Sequence, residues 1–156
     1  MKTAIAVLAA AACLAAACSE STPAVQKLDE RAVAVGIMAV QWPKVVAAGS
    51  DFAVKAVIRN ASGVTIPSQA ARGDGALQVN ATYHWWSMER KPVVWDGILT
   101  PLKADLAPGG EQQLDLAVKA PGTPGVYVLE LDLVQNTAFW FGGAGSQTAS
   151  MIVEVK

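Results

Sequence analysis

From Val33 onward apolar side chains recur with a period of two, in short runs separated by glycine, proline and asparagine. Phe52, Val54, Ala56 and Ile58 share one face of such a run, with Ala53, Lys55, Val57 and Arg59 on the other. Leu129, Leu131 and Leu133 alternate with Glu130 and Asp132, the pattern of a strand with one face in a core and one in water. Turn sequences punctuate these runs: NASG at 60–63, RGDG at 72–75, APGG at 107–110, APGTPG at 120–125 and FGGAGS at 141–146. Outside the first residues no segment offers a long 3.6-residue pattern free of glycine and proline. About seven strands, near 33–42, 51–59, 77–88, 92–99, 111–119, 125–135 and 147–155, therefore predict an all-β fold, an antiparallel β-sandwich. The segment from Ile66-Pro67 to Gly75 reads as a long loop or a disordered excursion. There is no internal repeat.

The N-terminus has a different character. MKTAIAVLAAAACLAAAC carries one positive charge at Lys2, then an alanine-rich apolar run too short for a stable transmembrane helix, then small residues. That is the pattern of a secretory signal, residues 1–17. Leu14-Ala15-Ala16-Ala17-Cys18 resembles a bacterial lipobox, in which the cysteine is acylated and becomes the new N-terminus; the usual branched residue three places before it is here Ala15. Cys13 lies inside the hydrophobic run, so Cys18 is the expected lipidation site. Once acylated, it leaves no cysteine for a disulfide, and the fold must rest on its core alone. Two or three acyl chains on one residue exceed what stable membrane anchoring needs. Ser19 stands where an aspartate would, by resemblance to enterobacterial lipoproteins, favour inner-membrane retention, so the expected location is the cell envelope, at the outer membrane.

Residues 18–32 are polar, lack periodicity and contain Pro23, and read as a lipid-anchored flexible tether. The remaining 33–156 is the size of one domain. Without Lys2, the 12 basic and 13 acidic residues leave a net charge of about −2 and no basic stripe, which argues against nucleic acid as a partner.

Two details sharpen the fold. In PGVYVLEL, Tyr127 follows a proline–glycine turn two residues before the inward Leu129, which looks like the tyrosine corner of immunoglobulin-type sandwiches. Trp85 on the third strand would take the usual inter-sheet position. The skeleton from YHWW through VWDG, TPL, DLAPG and DLVQ to WF, residues 79–141, resembles an Ig-like domain of bacterial surface-polysaccharide proteins. That module stands beside glycosyltransferase and methyltransferase domains and is similar to the C-terminal sugar-binding domain of O-antigen exporters. The resemblance implies an immunoglobulin-like β-sandwich of about seven strands without a disulfide, and a link to carbohydrate.

YHWWSMERKPVVWDG holds three of the five tryptophans. Alternation puts Ala81, Tyr83 and Trp85 opposite Thr82, His84 and Trp86, so the adjacent indoles cannot share one core. Trp85 is expected inside, and Trp86 outside beside a surface His84. Trp95 is read as packed at a strand end and Trp42 as a plug at one end of the sandwich. Phe139-Trp140-Phe141 precedes Gly142-Gly143 in the connection before the last strand, where an apolar tip would suit a sugar ring or a partner pocket. His84, Trp86, Phe139, Trp140 and Phe141 are thus the candidate ligand-binding residues.

Nothing in the sequence points to catalysis. A single histidine provides neither a common zinc ligand set nor a serine triad, so no catalytic or metal-binding residue and no cofactor is expected. Glu130 and Asp132 read as a solvent-facing pair rather than a glycosidase dyad. GGAGS lacks the lysine and helix of a phosphate loop, and the Arg72-Gly73-Asp74 tripeptide is part of a tight turn. The expected function is therefore a non-catalytic, membrane-anchored envelope module that binds polysaccharide or an envelope-assembly protein. Two other classes stay open: a structural accessory subunit using its strand edges, and an Ig-like protease inhibitor using the 136–145 loop.

Overall fold

The structure is a computed structural model that describes residues 24–156. The signal segment, Cys18 and the tether up to residue 23 lie outside the described residues. In chain order the strands are β1 (Val35–Gln41), β2 (Val45–Val46), β3 (Asp51–Asn60), β4 (Val79–Ser87), β5 (Pro92–Val94), β6 (Thr100–Pro101), β7 (Glu111–Lys119), β8 (Gly125–Gln135), β9 (Phe139–Trp140) and β10 (Ala149–Val155). They form a smaller sheet, β1-β3-β7, and a larger one, β2-β10-β8-β4-β5, in which β6 pairs with β4 and β9 with β8. The first strand is split between the sheets: β1 pairs antiparallel with β3, and β2 runs parallel to β10. Together with antiparallel pairing elsewhere, this is the immunoglobulin-like sandwich that the sequence implied.

Alternation builds the core directly. Val54, Ala56 and Ile58 of β3 and Leu114, Leu116 and Val118 of β7 meet Ala81, Tyr83 and Trp85 of β4 and Leu129, Leu131 and Leu133 of β8. Trp85 is fully buried, and its Nε1 donates to the Lys119 carbonyl at 2.9 Å; the Lys119 amide donates to the Tyr83 hydroxyl, also at 2.9 Å. Two aromatic side chains of the larger sheet thus satisfy the backbone of an edge strand of the smaller one. Tyr127 donates its hydroxyl to the Thr123 carbonyl at 2.9 Å, closing the tyrosine corner.

Three segments differ from simple alternation. The predicted strand 92–99 is broken: β5 ends at Val94, residues 95–99 leave the edge, and the chain rejoins β4 as β6. Part of the tether is tied to the sandwich, because buried Gln135 donates to the Gln26 carbonyl at 3.0 Å and accepts from the Leu28 amide at 2.9 Å. The 66–75 segment is pinned by a bridge between buried Ile66 and Leu106, and by the Ser68 amide and hydroxyl donating to Asp105 at 2.7 and 2.8 Å. Its tip closes on itself: Arg72 pairs with Asp74 at 3.2 Å, Asp74 accepts from the Ala76 amide, and Gly75 takes a φ of 78° that favours glycine. The Ala76 amide and the neighbouring Arg72 hold the exposed Asp74 carboxyl below its ordinary pKa.

Candidate functional site: the outer face of the larger sheet

A strand with one face in water should alternate in burial, yet the first seven residues of β4 are all buried. Something covers the face that points away from the core. Two excursions do so. The 95–99 segment crosses from the edge, with the Gly97 amide donating to the Tyr83 carbonyl at 3.0 Å. From the other side β9 continues β8 as a hairpin, Trp140 opposite Val134, and Gly142 donates its amide to the Asp132 carboxylate at 2.8 Å. Both crossings need glycine for close approach. A Cβ on Gly97 would lie 2.5 Å from the Tyr83 oxygen, and one on Gly142 would lie 2.8 Å from Asp132 Oδ2.

Beneath them, Asn80, Thr82 and His84 of β4 stand opposite Val134, Asp132 and Glu130 of β8. His84 is therefore on the outer face, as alternation requires, but it is not a surface residue: it is only 3% exposed. Its Nδ1 hydrogen bonds with the Trp95 carbonyl, and its Nε2 faces Asp132 Oδ2 at 3.7 Å. Asp132, read from sequence as solvent-facing, is buried as well, and Asn80 and Thr82 join it there. Glu130 accepts from the Thr148 hydroxyl at 2.8 Å and approaches Arg90 at 3.9 Å.

Three indoles surround the imidazole. Trp95 stacks on His84 with ring centres 4.4 Å apart, Trp140 lies at 4.6 Å and Trp86 at 6.1 Å; Trp95 in turn contacts Trp86 at 5.5 Å and Trp140 at 5.9 Å. Trp95 is not packed away as its sequence context suggested. It is 46% exposed and forms the outermost ring of the cluster. Trp86 and Trp140 are half-buried members of the same cluster. Phe139, in β9, and Phe141, just after it, leave the candidate set, because both turn to the side opposite Trp140. Phe141 is fully buried, and Phe139 stacks on it at 5.0 Å against the core. Trp42 packs partly against the core, with Lys44 over its ring at 3.6 Å.

Trp140 also forms one wall of an open cleft of about 450 Å³, lined by Gly97, Leu99 and Val134 and by the polar side chains of Asp74, Asp96, Asn136 and Thr137. The face thus offers a flat aromatic ring beside a depression rimmed with carboxylates and an amide. Among the described residues no group of three or more histidine, cysteine or acidic side chains is placed to hold a metal ion.

Several influences act on His84. Burial, the largest, works against its charge, but the Asp132 carboxylate, the Trp95 carbonyl and the field of Glu130 outweigh it and hold the imidazole above its ordinary pKa. A raised folded-state value means stability that is complete below the unfolded value of about 6.5 and lost as pH rises through the folded one. Because the chain has one histidine, the imidazole NMR signal of tag-free protein reports it without ambiguity. The expected midpoint lies above about 6.5 and falls in Asp132→Asn; a midpoint below that would mean that burial wins.

No family model matches the chain, and no curated protein matches it. Among solved structures, the solution structure of a CARDB domain from Pyrococcus furiosus aligns with 80% of this chain and 94% of its own, at 18% identity and a TM-score of 0.44. The crystal structure of that CARDB domain in complex with di-metal ions aligns at 17% identity, over 87% of this chain and 95% of its own, with a TM-score of 0.41. A β-glucosidase from Listeria innocua, in complex with laminaribiose, matches 80% of this chain with 16% of its own, at 13% identity and a TM-score of 0.47. No functional residue is carried over from any of them.

Proposed function

We propose that this protein is a non-catalytic, lipid-anchored envelope module that binds saccharide on the outer face of its larger sheet. The observation that carries the reading is the exposed Trp95 ring, stacked on His84 and braced by Trp86 and Trp140, beside a cleft rimmed by Asp74, Asp96, Asn136 and Thr137. A sugar ring presents an apolar C–H face to an indole and hydroxyls to carboxylates and amides, so this combination suits a glycan better than a purely apolar ligand. The resemblance of residues 79–141 to Ig-like domains of surface-polysaccharide proteins agrees with it. The lipobox-like run ending at Cys18 supports anchoring, at the outer membrane by the nature of Ser19; Cys18→Ala is expected to move the chain into the soluble fraction, and retention on the membrane would count against the anchor. The direct test is a screen of the full chain, extracted in mild detergent, against a glycan array and extracted envelope polysaccharide. Saturable binding supports the reading, and silence on both removes it.

A second reading has its own observation. Val45, Val126 and Ile152 lie 47%, 48% and 57% exposed along β2, β8 and β10, a partly apolar strip on that side of the larger sheet in which Glu154 stands between Val45 and Val126. Such a strip suits permanent packing against an envelope protein. Recovery of one stoichiometric protein in mild detergent would favour this accessory role over saccharide binding.

A further inference from the structure

We infer that Asn80 and Thr82 form a buried donor subsite beneath the cleft that selects saccharides carrying an acetamido group. The inference rests on the saccharide reading above and adds the class of sugar. Asn80 and Thr82 are 2% and 0% exposed, and neither Asn80 Nδ2 nor Thr82 Oγ1 has a hydrogen-bond partner among the described residues. Folded proteins rarely leave such groups unpaired without a ligand, a water or a functional reason. Both belong to one face of one strand, two residues apart and therefore about 7 Å from each other.

Their position ties them to the cleft. Asn80 stands opposite Val134, which lines the cleft and in turn pairs with Trp140. On its other side Asn80 pairs with Pro101 of β6, two residues beyond the exposed Leu99 that forms part of the cleft wall. That wall is lightly held. Ile98 and Leu99 are 42% and 46% exposed, and the 95–99 crossing is fastened to β4 through the Gly97 amide and the Trp95 carbonyl. Neither Asn80 nor Thr82 lines the cleft, so a ligand reaches the buried row only when Leu99 or Trp140 swings aside.

The chemistry of that row selects its guest. Asn80 offers two N–H donors, and Thr82 a hydroxyl free to donate. A carboxylate is disfavoured by the nearby Asp132, Asp96 and Asp74. What remains is a neutral acceptor with an apolar companion, and an acetamido group supplies both: its carbonyl oxygen for the Thr82 hydroxyl, with the Asn80 amide left to a neighbouring sugar oxygen, and its methyl for Val134 and Leu99. A hydroxyl also accepts, but it projects less far from the sugar ring and leaves the apolar walls without contact.

The test compares two tetrasaccharide probes, one of β-1,4-linked N-acetylglucosamine and one of β-1,4-linked glucose, on the full chain in mild detergent. The expected result is tighter binding of the acetamido probe. Thr82→Val is expected to weaken it about tenfold, to the level of the glucose probe, while Thr82→Ser retains it. Because Thr82→Val removes an unpaired hydroxyl, its melting temperature should equal or exceed that of the native chain, which separates lost binding from lost fold. Equal affinity for both probes, unchanged by Thr82→Val yet removed by Trp95→Ala, would overturn the subsite and leave the aromatic face standing. Binding of neither probe, with other glycans bound through Trp95, would likewise reject the acetamido selection. Absence of any glycan binding would reject both.

Discussion

Trp85→Ala is expected to remove most of the stability of the domain. Trp85 is fully buried and makes edge contacts with Phe52, Tyr83 and Tyr127 at ring separations of 6.4, 6.5 and 6.1 Å. Phe52 belongs to the smaller sheet and the others to the larger, so this one indole joins both. Truncating a buried aromatic to alanine costs about 3–5 kcal/mol. The change also leaves the Lys119 carbonyl without the Nε1 donor that satisfies it. Against a typical total of about 5–15 kcal/mol, and with no cysteine among the described residues to cross-link the sandwich, the variant should melt at least about 10 °C lower. Thermal unfolding followed by circular dichroism checks this. A cost below about 1 kcal/mol would mean that the two sheets are held together elsewhere.

Trp95, ten residues further on, should behave in the opposite way. With nearly half its surface exposed and its contacts confined to the outer cluster, Trp95→Ala should leave the sandwich folded, at a cost of about 1 kcal/mol, and reduce saccharide affinity at least about tenfold. Gly97→Ala approaches the same point without touching an indole. Its Cβ would sit 2.5 Å from the Tyr83 carbonyl and 2.7 Å from the Tyr83 ring, so the crossing that carries Trp95 must lift from β4. Binding should fall in Gly97→Ala as well, with all five tryptophans still present. If it falls in Trp95→Ala and not in Gly97→Ala, the ring engages ligand without needing its position over His84.

These two tryptophans also show how far the sequence carries. Local alternation determines which side of a sheet each residue faces, and it placed Trp85 inside, Trp86 and His84 on the opposite face, and the β7 and β8 strands at their observed limits. The tyrosine corner was legible because a turn and an inward leucine fix where Tyr127 must reach. What alternation cannot report is whether an outward face is covered. His84 and Asp132 are buried by segments 95–99 and 139–143, which return over the sheet, and no strand period encodes such a return. Its traces in the sequence are small: Asp96-Gly97 interrupting an apparent strand, and Gly142 where Asp132 approaches. The same period, applied through Phe139-Trp140-Phe141, separates Trp140 from its two inward neighbours. As a loop tip the triplet reads as one patch; with Phe139–Trp140 paired to β8 as the short strand β9, it divides between core and face.

Asn80 and Thr82 gave no signal of their own, since an asparagine and a threonine on an outward face are ordinary surface residues until the face is closed. Their interest arises from burial without partners, a property of the assembled fold.

The central claim is that an exposed indole on the outer face of the larger sheet engages saccharide, and tryptophan fluorescence during titration with envelope polysaccharide tests it most directly. The native chain should show a saturable emission shift with reduced acrylamide quenching, and Trp95→Ala should show neither. Saturable binding that leaves the quenching of Trp95 unchanged, or a full emission shift in Trp95→Ala, would contradict the claim and place the contact on another surface.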